Sequence, residues 1–263
     1  MARSTYLYKY LPQKHLDFIK YLDDEGLDIF TLETIREIYK QIDDHNELLE
    51  NLFHKGIIDR VERGVYVRHN FKDEFVIGSF LTLDATIAYW SALNLHGLTN
   101  QIPNTVFVQS TKKKQNKTVF GVYYKFIKVK SQKLTGIQLN GYGNHSYRIT
   151  DIEKTIVDCF DLPQYAGEFP KLVRAFYETN LNVIKLKNYC ESVKNTGVTK
   201  KLGFLTELFE KKNSQGFIRY AKSKVTKTIN NFDPWGSNEG KIITRWGLRL
   251  NMSKEDILNM RNY

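Results

Sequence analysis

The sequence predicts an α+β fold in two unequal parts, and three observations carry that prediction. Residues 1–70 read as three short helices followed by a tight hairpin. Residues 105–149 alternate like sheet, and from 151 onward apolar residues recur mostly at helical spacing. At 263 residues with 41% hydrophobic and 13% aromatic side chains, the chain can build one large core or two ordinary ones.

The first helix is expected over 12–25, where Leu16, Phe18, Ile19, Tyr21 and Leu22 mark one face and Gly26 ends it. Thr31 is an N-cap for a second helix that buries Leu32, Ile35 and Ile38. Asp43 or Asp44 caps a third, with Leu48, Leu49, Leu52 and Phe53 inward and Gly56 as its stop. Ile57, Ile58 and Val61 then form a strand, Glu62-Arg63-Gly64 a turn, and Val65 to Arg68 the return strand. That order and those lengths describe a winged helix-turn-helix, a fold whose third helix enters the major groove while the wing lies on phosphate.

Residues 71–263 form the larger α+β part. Residues 75–98 are expected to be two helices, the second capped by Asp84 and closed by His96-Gly97, with His96 serving the helix end rather than chemistry. Strands are expected at 105–110, 118–129, 133–139 and 145–149, joined first by the loop TKKKQNK (111–117), as an antiparallel sheet with a lysine face. Helices follow at 152–162, 168–179, 183–193, 198–212 and 215–224. Gly203 inside the fourth signals close packing, a strand is expected at 241–251, and Ser253 caps a last helix.

Charge divides unevenly. Net charge is +10 overall, from 39 basic and 29 acidic residues. Residues 1–70 hold 10 basic and 13 acidic side chains, net −3, so the remainder holds 29 and 16, net +13. Two long stretches, 85–150 and 211–232, contain no carboxylate at all. Such acid-free runs point to a polyanionic partner more than to a solvated exterior. The phosphate-binding candidates are Arg60, Arg63 and Arg68 on the wing, Lys112, Lys113, Lys114 and Lys117 in the loop, Lys128 and Lys130 on the sheet, and Lys222 and Lys224 on the basic helix. His45 and Asn46 are the base-reading candidates on the third helix, whose Asp43, Asp44, Glu47 and Glu50 oppose phosphate.

Other classes are excluded. No stretch approaches the ~18 apolar residues a membrane helix needs. The first fifteen residues lack the apolar core of a secretory signal, so the expected location is cytoplasmic. Cys159 and Cys190 make no disulfide framework, and no histidine pair has metal-ligand spacing, so neither metal nor cofactor is expected. Asp151, Glu153, Lys154, Asp158 and Asp161 invite comparison with metal nucleases, but Glu153 and Lys154 are adjacent and fall on different faces. Asp151 reads as a helix cap, Cys159 as a buried thiol, and no enzyme is expected.

Five segments in series carry a resemblance. They are KGIIDRVERGVYV (55–67), YWSALNLHGLTNQIP (89–103), ITDIEKTIVDCFDLPQYAG (149–167), KKLGFLTELF (200–209) and TRWGLRLN (244–251). In order and spacing they resemble the AbiEi-type antitoxins of type IV abortive-infection toxin–antitoxin systems, over nearly the whole chain. The resemblance implies a bacterial repressor of its own operon that binds inverted repeats in double-stranded DNA. It implies a second domain that counteracts a nucleotidyltransferase-like toxin without a stable complex. It assigns Arg60, Arg63 and Arg68 to the wing contacts and His45 and Asn46 to the recognition helix. The competing reading is an RNA- or toxin-target-binding protein whose winged part docks protein and whose Tyr123 and Tyr124 stack on bases.

Overall fold

The computed structural model describes residues 11–262. The N-terminal segment read for a signal lies mostly outside them. The chain folds as α+β, with a helical N-terminal part carrying an antiparallel sheet and a helical C-terminal region. Helix α1 spans Gln13–Asp24, α2 Leu32–Ile38 and α3 His45–His54. Thr31 caps α2 by accepting from the Thr34 amide, and Asp44 caps α3 by accepting from the Asn46 and Glu47 amides. A short strand β1 (Ile29–Thr31), not expected from its length, pairs with β3 (Val65–Arg68), which pairs with β2 (Ile58–Glu62). Gly64 turns the wing at φ +79°, a left-handed value that favours glycine.

The second sheet has six strands: β4 (Thr86–Ile87), β5 (Thr105–Ser110), β6 (Lys117–Val119), β7 (Val122–Lys128), β8 (Ile137–Asn140) and β9 (Tyr147–Thr150), in the order β6-β7-β5-β4-β9-β8. It is mixed rather than wholly antiparallel, because β5 pairs parallel with β7 and β4 parallel with β9. For β5 and β7 the reason is local. Phe120 and Gly121 both take positive φ, +48° and +86°, the requirement of a two-residue hairpin turn. That turn splits the expected long strand into β6 and β7, which pair with each other. The chain leaving β5 therefore meets β7 in the same direction.

Helix α4 (Glu74–Phe80) precedes β4, and α5 (Tyr89–Leu95) follows it. The expected cap at Asp84 is absent: α5 starts after Ala88, and Asp84 serves another purpose described below. Helices α6 (Ile152–Asp161), α7 (Phe169–Glu178), α8 (Val183–Val193), α9 (Thr196–Leu208) and α10 (Gln215–Ser223) build the C-terminal half. A three-stranded sheet of β10 (Asn230–Asn231), β11 (Lys241–Ile243) and β12 (Leu248–Leu250) and a short α11 (Lys254–Asn259) complete it. The strand expected over 241–251 is two strands, broken by a turn at Thr244–Trp246 with Gly247 at φ +59°.

Three apolar cores result. Phe18, Leu22, Phe30, Ile35, Leu48 and Leu52 fill the first, inside the winged part. The second joins Ile29, Val61, Val65 and Val67 of the small sheet to Val76 of α4 and to Ile87, Val108 and Ile149 of the large sheet. The third packs the other face of the large sheet against the C-terminal helices. The division expected at residue 70 falls between β3 and α4, yet apolar packing crosses it. Among the described residues no helix is long and apolar enough to cross a membrane.

Candidate nucleic-acid interface

The wing and the lysine loop form one surface. Glu62, at the end of β2, accepts from Lys114 Nζ at 2.7 Å on one carboxylate oxygen and from Lys117 Nζ at 3.0 Å on the other. Each ammonium also donates to a main-chain carbonyl, Lys114 to Leu81 at 2.7 Å and Lys117 to Val61 at 3.2 Å. Burial works to raise the Glu62 pKa, and its two lysines outweigh that and hold it below the usual value. Loop 111–116 is thereby strapped to the wing by ion pairs across more than fifty residues of sequence.

At its other end the loop is fixed by Asp84. That carboxylate accepts from the Thr111 amide at 2.9 Å, from the Thr111 and Ser110 hydroxyls, and from Thr82 at 3.3 Å. Partial burial opposes its charge, but the Ser110 and Thr111 donors bring its pKa down to about 2. Register places Lys128 beside Ser110, so Lys128 and Lys130 emerge at the same end of the sheet as the loop. Arg63 on the wing turn, Lys112, Lys113, Lys128 and Lys130 are exposed and have no ion pair among the described residues.

Several expected contacts are committed elsewhere. Arg60 is paired with Glu50 and lies over the Phe53 ring at 4.4 Å. Arg68 pairs with Asp23 at 2.8 Å. His45 is buried at the start of α3, its Nε2 bonded to the Tyr39 carbonyl at 2.6 Å, so it faces the core rather than a groove. Lys114 and Lys117 hold Glu62, and Lys222 pairs with Glu207 at 2.9 Å while lying over Trp246. Lys224 is exposed just after α10, over the Tyr220 ring, but neither Lys222 nor Lys224 is bonded or ion-paired to the loop. Asn46 is exposed, among the exposed carboxylates of Asp43, Asp44 and Glu47. Tyr124 is fully buried with its hydroxyl on the Glu74 carbonyl, so it cannot stack on a base beside Tyr123.

A cleft of about 1170 Å³ runs between the winged part and the large sheet. It is lined by Glu33, Arg36, Glu37 and Asn46 of α2 and α3, by Arg63 and Gly64 of the wing turn, and by Leu83, Leu139, Tyr147 and Arg148 of the larger part. The exposed face of α2 and α3 therefore looks across at protein, not into open solvent alone.

The acidic cluster after β9 is engaged within the protein, apart from one oxygen of Asp158 that has no partner. Asp151 caps α6 and accepts from Lys185 and Tyr189; Glu153 accepts from the Asn182 amide; Asp161 accepts from Lys133 and Asn195. Asp158 is buried against Lys154, and burial outweighs that lysine to push its pKa up to about 6. Cys159 is buried and its thiol raised well above the ordinary range by that burial. The His96 ring bonds to the Thr150 carbonyl at 2.7 Å. Among the described residues no group of three His, Cys, Asp or Glu side chains could hold a metal ion.

No family model matches the chain, and no curated protein matches it. Among solved structures it is similar to the crystal structure of the Rv2827c protein from Mycobacterium tuberculosis, with a TM-score of 0.62 at 12% identity. That alignment covers 90% of this chain and 91% of the other, so the likeness extends over both parts of the fold. At such identity it speaks for the fold alone.

Proposed function

We propose that this chain is a duplex-DNA-binding regulator that grips the phosphate backbone with the wing turn and the lysine loop together. One observation supports the reading above the others: Glu62 straps the loop to the wing, leaving five unpaired cations on and around the two elements. Phosphate contacts of this kind give affinity and position without reading sequence. The acidic α3 face contributes little attraction, so Asn46 is the remaining base-edge candidate there. With the resemblance to AbiEi-type antitoxins, the DNA is the chain's own operator and the binding represses the operon. The same resemblance makes the second part the agent that counteracts a nucleotidyltransferase-like toxin. The chain acts without cofactor and without catalysis of its own.

The test uses the full chain and a duplex from the DNA upstream of its own reading frame. Lys112→Glu with Lys113→Glu is expected to abolish retention at moderate salt while thermal unfolding is unchanged. Undiminished retention by that variant would overturn the proposed surface. A reporter fused to the same upstream DNA reads repression independently of toxin neutralisation.

A further inference from the structure

Leu83 is the most exposed large apolar side chain among the described residues, at 87%. It occupies a central position of a β-turn, closed by the Ala85 amide donating to the Thr82 carbonyl at 3.1 Å. Turn positions of this kind ordinarily carry polar residues, glycine or proline. The turn is held from several sides. Asp84 takes its four donors from Thr82, Ser110 and Thr111, Lys114 bonds the Leu81 carbonyl, and Arg148 Nε bonds the Ala85 carbonyl at 3.0 Å. An isolated exposed leucine on a mobile loop would need no account. This one is fixed in place, lines the same cleft as Arg63, and adjoins the loop that carries Lys112 and Lys113.

We infer that Leu83 is an apolar wedge that enters a base step of bound duplex DNA and kinks it. The inference rests on the DNA-binding reading above. A duplex held on one side by the wing turn and on the other by the lysine loop passes over this turn. Charge complementarity selects the occupant: Lys112 and Lys113 beside the turn and Arg63 on the wing draw in phosphate, and the carboxylates that line the same cleft, Glu33, Glu37 and Glu50, stand on α2 and α3. Partial insertion of a leucine unstacks one step and bends the helix away from the wedge. Flexible pyrimidine–purine steps accept that deformation more easily than stiff A-tracts do.

The experiment uses 30-base-pair duplexes labelled at both ends, one with a central TA step and one with a central A-tract. Energy transfer reports bending, and titration reports affinity. The full-length protein is expected to shorten the end-to-end distance and to prefer the TA duplex on the order of tenfold. Leu83→Ala should lose the shortening and the preference while keeping the salt dependence. Leu83→Met should keep all three. An L83A protein that bends DNA as the parent does overturns the wedge and returns the leucine to a protein-docking role. If the parent protein binds neither duplex, and Lys112→Glu with Lys113→Glu changes nothing, the DNA-binding reading itself has failed, independently of Leu83.

Discussion

Lysines bound to Glu62 should not count toward phosphate, and that is measurable lysine by lysine. Binding to a mixed-sequence duplex should weaken with salt in proportion to the cations that meet phosphate, with a slope of about −0.9 for each in a plot of log K against log salt. Arg63, Lys112, Lys113, Lys128 and Lys130 are the five candidates without an ion pair at the wing and loop, so the limiting slope for that surface is about −4.5. Lys112→Met or Lys113→Met should each reduce its magnitude by about 0.9, roughly threefold in affinity over a fourfold change in salt. Lys114→Met and Lys117→Met should leave the slope unchanged. Each instead removes one part-buried ion pair and lowers stability by about 1 kcal/mol at most. Glu62→Gln should do the reverse of a simple loss. It frees two ammonium groups, steepens the slope toward about −6.3, and loosens the wing in thermal unfolding. Filter-binding titrations at neutral pH, from low to moderate salt, read all five variants. If Lys114→Met and Lys117→Met flatten the slope as much as Lys112→Met does, the Glu62 strap opens on DNA and the internal pairing does not restrain these lysines.

Asp84→Asn should destabilise by between about 1 and 2 kcal/mol, allowing for solvent screening of a partly exposed carboxylate. Its pKa is depressed to about 2, so this contribution is full above the ordinary carboxylate pKa and is lost as pH falls from about 4 toward 2; urea unfolding across that window should show it in the parent and not in the variant. Lys154→Met strands the buried Asp158, one of whose oxygens already lacks a partner, and should cost about 3–5 kcal/mol in urea unfolding, with most of it recovered by adding Asp158→Leu. Gly203→Ala places a methyl 2.5 Å from both the Ala221 Cβ and the Trp246 ring, so it should lower stability by about 1–3 kcal/mol in the same assay. Residues 1–70 expressed alone uncover Ile29, Val61, Val65 and Val67 of the small sheet, and should unfold without a sharp transition by circular dichroism, whereas a cooperative melt would show that the winged part is autonomous.

Local signals were readable and pairing was not. Thr31, Asp44, Gly56 and Gly64 announce helix ends and a turn by their own chemistry, and the structure uses each of them at the expected place. Asp84 misled because a carboxylate before an apolar run looks like an N-cap whatever it bonds. Here Thr86 and Ile87 pair as a strand, and the carboxylate is taken by Ser110 and Thr111, some twenty-six residues away. The strand run 118–129 hid its own hairpin, since phenylalanine at position 120 gives no hint of a left-handed backbone. β1 is three residues long and carries too little periodicity to be seen; it exists because β3 offers it an edge.

The same distinction separates the useful cations from the occupied ones. A lysine-rich loop is legible as charge, but whether a given lysine is available depends on carboxylates that folding delivers from elsewhere. Glu62 comes from the acidic part and neutralises two lysines of the basic part, while Glu207 takes Lys222 in the same way. Arg60 and Arg68 are held within the winged part by Glu50 and Asp23. The split of −3 and +13 along the sequence is therefore not a split between two independent surfaces. It is partly cancelled where the parts meet, and the cancellation fixes the wing against the loop. On the proposed reading, the attraction for phosphate is borne by Arg63 together with the lysines Glu62 does not reach. A winged fold with an acidic third helix can then still bind a duplex, by gripping it at the wing and leaving the helix face to the cleft.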